Sequence, residues 1–224
     1  MMKRIMKKTP NPQPPSPQSG SHMAIVTQSV GDYSVLKYCS TPTHPLLPSQ
    51  VRLKVLAAGV NNTDINTRIG WYDKSVTTAT DKATDETAAE SNGYGDKPSP
   101  WPLIQGTDCA GVIVELGSDL VLTHKHLLNQ RALVASCQAG LGWSGSDFAG
   151  GFQELLNVHH SFVHPITAPP TAITATQLGA IPCAYGTAEN MLLKVTLRPG
   201  DTVVVPGASG GVGGAVVELC GVCR

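Results

Sequence analysis

The chain lacks an excess of charge of either sign. Sixteen lysines and arginines stand against sixteen aspartates and glutamates, and charged residues make up only 14% of its 224 positions. That balance excludes a partner held by bulk electrostatics, so neither a nucleic acid nor a membrane surface is expected. Apolar runs of the roughly 20 residues needed to cross a bilayer are missing as well. So is a disulfide framework: the six cysteines lie scattered at 39, 109, 137, 183, 220 and 223, which fits a reducing compartment. The N-terminus has no apolar stretch that would make a secretory signal. A cytoplasmic chain is expected, with the basic start MMKRIMKK leaving organellar targeting open.

What is present divides the chain in two. Residues 1–23 read as a disordered tail, because the segment NPQPPSPQSG is rich in Pro, Ser and Gln and cannot build a core. Gly20-Ser21-His22-Met23 also resembles an expression-vector scar. Ordered structure is expected from Met23 onward. Val51-Arg52-Leu53-Lys54-Val55 alternates apolar and polar at period two, the mark of a half-buried strand. Residues 110–116, 132–135 and 154–158 read as further strands, so 24–168 is expected to form a β-rich, barrel-like domain. Residues 73–101, rich in Thr, Ala, Gly and charge, interrupt that domain as a long insertion and are expected to be a flap or a disordered loop. Near Thr174 the texture changes. Thr174-x-x-Gln177 is a capping-box pattern, helical segments run to about Leu193, and Pro199-Gly200 makes a turn. Residues 169–224 then begin a second domain.

That second part holds the most informative run of the chain. Residues 202–205 read as a short β-branched strand, and Pro206-Gly207-Ala208-Ser209-Gly210-Gly211-Val212-Gly213-Gly214 as a glycine turn opening a helix. Small residues let the backbone approach a pyrophosphate, and a helix N-terminus offers N–H donors and a positive dipole end. The expected cofactor-binding residues are Ala208, Ser209, Gly210, Gly211, Val212 and Gly213. An acidic residue for the ribose belongs about 20 residues beyond such glycines, past Arg224. The apolar face of Ala215, Val216, Leu219 and Val222 is expected to lack a sheet to pack on.

Six segments in order carry a family resemblance: Ala57-Ala58-Gly59-Val60-Asn61-Asn62-Thr63-Asp64, Arg68-Ile69-Gly70-Trp71-Tyr72, Gly106-Thr107-Asp108-Cys109-Ala110-Gly111-Val112-Ile113, Gly150-Gly151-Phe152-Gln153-Glu154, Gly186-Thr187-Ala188, and the glycine turn. Together they resemble the medium-chain dehydrogenase/reductase superfamily, in its quinone oxidoreductase-like, zinc-independent branch. The resemblance implies an α/β chain with an N-terminal GroES-like β-barrel domain followed by the first part of a Rossmann dinucleotide-binding domain, C-terminally truncated. It implies NADP or NAD as cofactor, with NADP favoured, a small quinone, enone or aldehyde as substrate, and a homodimer in the full-length form.

Site roles follow from the same resemblance. Asn61 and Tyr72 would donate hydrogen bonds to a developing oxyanion. Thr63 would relay a proton to Asp64 or to the cofactor. Asp64 would act in that relay or serve as a structural acceptor. Arg68 would touch substrate or cofactor phosphate, or form a surface ion pair. Thr187 would sit by the nicotinamide. Zinc-using relatives place cysteine, histidine and cysteine where this chain has Asn61, Thr107 and Cys183, so no zinc is expected. Cys183 reads as a packed core residue, Cys220-x-x-Cys223 as a chance pair, and His124-x-His126 and His159-His160 as solvated loop or edge histidines. Two functions stay open: an NAD(P)H-dependent oxidoreductase, or an inactive truncated product or binding module retaining the β domain.

Overall fold

The structure, a computed structural model, describes residues 20–72, 100–138 and 140–222. The tail before Gly20, residues 73–99 of the expected insertion, and Cys223 of the cysteine pair lie outside the described residues. Among those described, no helix is long and apolar enough to cross a membrane.

Antiparallel strands dominate the first part. In chain order they are β1 (Ser21–Thr27), β2 (Leu36–Pro42), β3 (Gln50–Ala57), β4 (Leu103–Ile104), β5 (Cys109–Leu116), β6 (Arg131–Val134), β7 (Cys137–Gln138), β8 (Gly142–Trp143), β9 (Leu155–His159) and β10 (Val163–Pro165). They form a three-stranded sheet ordered β2-β1-β4, a five-stranded sheet ordered β10-β6-β5-β3-β9, and a β7-β8 pair. The period-two reading of β3 holds. Val51 and Leu53 are fully buried, while Arg52 turns outward to pair with Glu115 and to donate to Asn157 Oδ1 at 2.9 Å. The core under this sheet includes Val51, Leu53, Ile113, Val134, Leu156, Val158 and Phe162. Burying each such side chain is worth about 1.5–3 kcal/mol.

Structure starts earlier than the sequence reading places it. Ser21 and His22 belong to β1. The His22 ring is bonded to Thr43 Oγ1 and Gln153 Oε1, each at 2.9 Å, and an isolated bridge between Ala24 and Gln153 joins the two larger sheets. A histidine with two partners inside the sheet is part of the fold, not of a tail or a scar.

Four helices complete the elements: α1 (Asn62–Arg68), α2 (Ala175–Leu178), α3 (Pro182–Lys194) and α4 (Gly211–Val222). α2 opens on the expected capping box, with Thr174 N donating to Gln177 Oε1 at 2.9 Å and Gln177 N to Thr174 Oγ1 at 3.2 Å. It rests on β3 and β5. One expectation fails in the second part. Residues 202–205 carry no regular secondary structure and form no ladder, and Val204 is 84% exposed. A strand is defined by its neighbour's hydrogen bonds, and no strand pairs with this segment among the described residues. The apolar face of α4 has no sheet to pack on among the described residues, as expected, but α3 covers part of it; the Val222 side chain lies outside the described residues. Ala215 and Val216 are buried against Ala188, with Tyr185, Leu192, Val205 and Leu219 around them. The Tyr185 hydroxyl donates to Glu218 across this helix pair.

The histidines read as solvated loop or edge residues also lie close together. Ring centroids of His159 and His160 are 4.7 Å apart, those of His160 and His124 4.9 Å, and those of His124 and His126 6.1 Å. Partial burial lowers the His160 pKa from its ordinary 6.5, and neighbouring His159 and His124 lower it further. The folded state therefore binds fewer protons here than the unfolded one. The stability tied to neutral His160 is present above pH 6.5 and declines as pH falls below it. His160→Gln is expected to flatten the fall of the melting temperature between pH 7 and pH 5. An unchanged slope would remove His160 as its source.

Candidate functional site

Two cavities meet at the junction of the β-rich part and the helices. One, of about 670 Å³, is lined by Asn61, Thr63, Cys183, Thr187 and the glycine turn through Gly207, Gly210, Gly211, Val212 and Gly213. The other, of about 560 Å³, is lined by Thr63, Thr107, Ser136, Trp143, Cys183 and Thr187 among others. Thr63, Cys183 and Thr187 are common to both, so the two cavities adjoin between the glycine turn and the β domain.

The glycine turn is shaped by close approach. Gly210 N donates to Gly207 O at 2.9 Å, and Gly214 N to Gly210 O at 2.8 Å. A Cβ on Gly213 would run into the Gly207 carbonyl oxygen and sit 2.8 Å from Ala208 Cα. Only glycine lets the first turn of α4 fold back onto residues 207–208. The first N–H groups of α4, which have no intrahelical acceptor, belong to residues of the cleft wall. Ala208 and Ser209 belong to the turn, but they do not line the cavity.

Asp64 organises the other wall. It is 5% exposed. Its Oδ2 accepts from Asn61 N at 2.8 Å, its Oδ1 from Gly106 N at 3.1 Å and Thr107 N at 3.3 Å, and the Thr107 hydroxyl reaches Oδ1 at 3.4 Å. Burial pushes its carboxyl above the usual carboxylate range, against the pull of these donors. Thr63 Oγ1 stands 3.4 Å from Thr107 Oγ1. Asn61 Nδ2 donates to Asp108 Oδ2 at 2.9 Å.

The remaining sequence candidates part company. Arg68 is buried, donates from Nη1 to Gly31 O at 2.6 Å and stacks over the Tyr33 ring at 4.6 Å. It forms no ion pair among the described residues and lines neither cavity. The helix explains this: Arg68 lies five residues after Thr63, about 140° round α1. Tyr72 packs with its ring edge-on to Trp71, centroids 5.4 Å apart, and it too lines neither cavity. Asp108 and Ser136 were not singled out from the sequence; Ser136 lines the second cavity, and Asp108, buried behind the cleft, is bonded to Asn61 and Cys183, which line the first. Asp108 follows Thr107 directly in a quoted motif, so its place was available as a signal. Nothing in the sequence marks Ser136, whose buried Oγ has no hydrogen-bond partner.

The donor set at the zinc-matching positions is poor for a metal. Of the three positions only Cys183 carries an ordinary zinc-ligand side chain, and burial pushes its thiol up to about 11, with Asp108 and Asp64 adding to it. The Asn61 carboxamide and the Thr107 hydroxyl are engaged with Asp108 and Asp64. Among the described residues, no three His, Cys, Asp or Glu side chains are grouped to hold an ion.

This β scaffold, with its motifs folded around one cleft, matches a known sequence family over residues 47–168, that of the alcohol dehydrogenase GroES-like domain. The chain belongs to this family. Its architecture is accordingly a GroES-like β domain followed by the opening elements of a Rossmann unit. The chain is 28% identical over 190 residues to a 2-methylene-furan-3-one reductase of Solanum lycopersicum, covering 84% of this chain and 41% of that protein. It is also 28% identical to an NADPH-dependent alkenal/one oxidoreductase, chloroplastic, of Arabidopsis thaliana, covering 88% of this chain and 43% of that protein. A crystal structure assigned to an alcohol dehydrogenase of Sinorhizobium meliloti superposes with a TM-score of 0.73 at 28% identity, over 90% of this chain and 54% of that one. The GroES-like chain thus spans about two-fifths of the curated relatives it matches.

Proposed function

We propose that this chain supplies the β domain and the pyrophosphate corner of an NAD(P)H-dependent oxidoreductase that reduces a small enone or quinone without zinc. The observation that carries the reading is the single cleft in which Asn61, Thr63 and Thr187 face the glycine turn. The turn's fit to a dinucleotide supports it: Gly213 leaves no room for a side chain, and residues 210–213 present the start of α4. Residues 210–213 would hold the pyrophosphate, and Thr187 would flank the nicotinamide. When bound, the reduced nicotinamide supplies the hydride. NADP is favoured over NAD by the relative named for NADPH.

The protein's own part is to stabilise charge. As hydride reaches the unsaturated carbon, negative charge grows on the substrate oxygen. Asn61 Nδ2 has one N–H committed to Asp108 and a second to offer to that oxygen. Asp64 keeps the Asn61 backbone in place, so we assign it a structural role. The carboxamide of Asn61 and the hydroxyl of Thr107, poor zinc ligands beside the one thiol of Cys183, support chemistry without zinc. We place Arg68 outside the catalytic group, because α1 turns it to Gly31 and Tyr33.

The test is Asn61→Ala, assayed by NADPH oxidation with a small enone and with a quinone. Turnover is expected to fall about 10²-fold, typical of losing one oxyanion donor, with little change in NADPH affinity. Unaltered turnover would move Asn61 out of the mechanism. One observation favours a second reading, a binding module without turnover: residues 202–205 lack a ladder. Steady NADPH oxidation by the protein would reject it.

A further inference from the structure

The acid beside Thr107 is used twice. Asp108 is 1% exposed. Its Oδ2 accepts from the Asn61 carboxamide at 2.9 Å, and its Oδ1 accepts from the backbone N–H of Cys183 at 2.6 Å. Cys183 stands in the first turn of α3, the helix that carries Thr187. One carboxylate on the β4–β5 connection therefore grips a side chain at the start of α1 and the backbone at the start of α3. Space for it is made by Gly59, where a Cβ would fall 2.8 Å from Asp108 Oδ2 and 2.6 Å from Gly179 O.

We propose that Asp108 is the positioning residue of the cleft. It fixes which end of the Asn61 carboxamide is the donor and holds that donor at a set distance from the α3 wall. The chemistry is that of an acceptor-only group: an ionised carboxylate has no proton to give, so the amide beside it must present nitrogen, not oxygen. A rotated Asn61 would set its own Oδ1 against the Asp108 carboxylate oxygen, two acceptors in a buried site. The Asn61 and Cys183 N–H groups reach different oxygens of the carboxylate, and a neutral amide at position 108 would set its own NH2 group against one of them. The inference rests on the reading that Asn61 serves substrate reduction, and it adds the residue that orients Asn61.

The experiment pairs kinetics with a measurement that needs no turnover. Asp108→Asn is expected to lower kcat by about 10²-fold, the scale of a lost oxyanion donor, and to leave NADPH affinity within about twofold. In the Asn61→Ala background the same change is expected to cost less than about threefold, because residues acting through one another do not add. A purely structural role would multiply the two losses, and that result overturns the proposal. The second arm follows the Asn61 side-chain amide resonances in asparagine-labelled protein. Acid titration should shift them as Asp108 takes a proton, with Asp64 and Cys183 the other titratable groups facing it. Asp108→Asn should abolish that shift. If D108N does not fold, the wild-type titration decides: amide resonances indifferent to acid while the protein stays folded overturn the proposal. If the wild-type protein oxidises no NADPH with any enone or quinone, the functional reading fails, and the amide titration still reports whether Asp108 holds Asn61.

Discussion

Asp64→Ala lowers the unfolding free energy by about 3–5 kcal/mol, the scale of removing one partner from a buried charged network. The carboxylate is the common acceptor for three backbone N–H groups, those of Asn61, Gly106 and Thr107. Each is left without a partner in a site closed to water, at about 1–3 kcal/mol apiece. The neighbouring main-chain contact survives the change: Gln105 Nε2 donates to the Asp64 backbone carbonyl at 2.8 Å, which alanine keeps, and Gln105 Oε1 accepts from Thr27 in β1. Removing the Asp64 side chain loosens the seam between α1 and the β4–β5 connection. Asp64→Asn keeps one carbonyl oxygen and is expected to lose less. Urea unfolding of both variants decides it, and a shift under about 1 kcal/mol for the alanine variant would contradict the network.

Gly213→Val is expected to weaken the proposed nucleotide binding while sparing the β domain. The added Cβ meets the Gly207 carbonyl and the Ala208 backbone, and the obstruction is main chain, which cannot swing aside as a side chain would. Overpacking of this kind costs about 1–3 kcal/mol or more, and the turn is expected to relieve it by opening. NADPH affinity should then fall by at least about 10²-fold, or about 2.7 kcal/mol. Fluorescence titration measures this, and near-UV circular dichroism of the tryptophans follows the β domain. Equal affinity in the variant would place the cofactor elsewhere.

Much of the fold was legible because its signals are local. The alternation of 51–55 placed β3, and the Thr174/Gln177 pair placed the start of α2. The glycine turn announced its own close contacts. What the sequence hid was non-local. The strand character of 202–205 is real as propensity, but a ladder needs a neighbour, and propensity does not say whether one arrives. The gathering of His124, His126, His159 and His160 needs the single 3-10 turn His160–Phe162 after β9 to lie against the 118–127 segment, and no spacing reveals that. Asn61 and Thr63 were found by motif. Asp108 was quoted in one and passed over, because its work lies in reaching two residues 47 and 75 positions away. Arg68 stands apart from both cavities because a motif lists residues along the chain, whereas a helix distributes them around an axis.

The segment 202–205 carries a consequence for pairing. Thr202, Val203, Val204 and Val205 are β-branched without a break, so neither face of the segment is marked polar. Register in a sheet is chosen by which face must be hidden, and here the side chains cast no vote. The one fixed point is Val205, packed against the α3–α4 cluster just before the glycine turn. Any strand that comes to lie beside this segment is therefore aligned from its C-terminal end, by the helix pair and not by the strand itself.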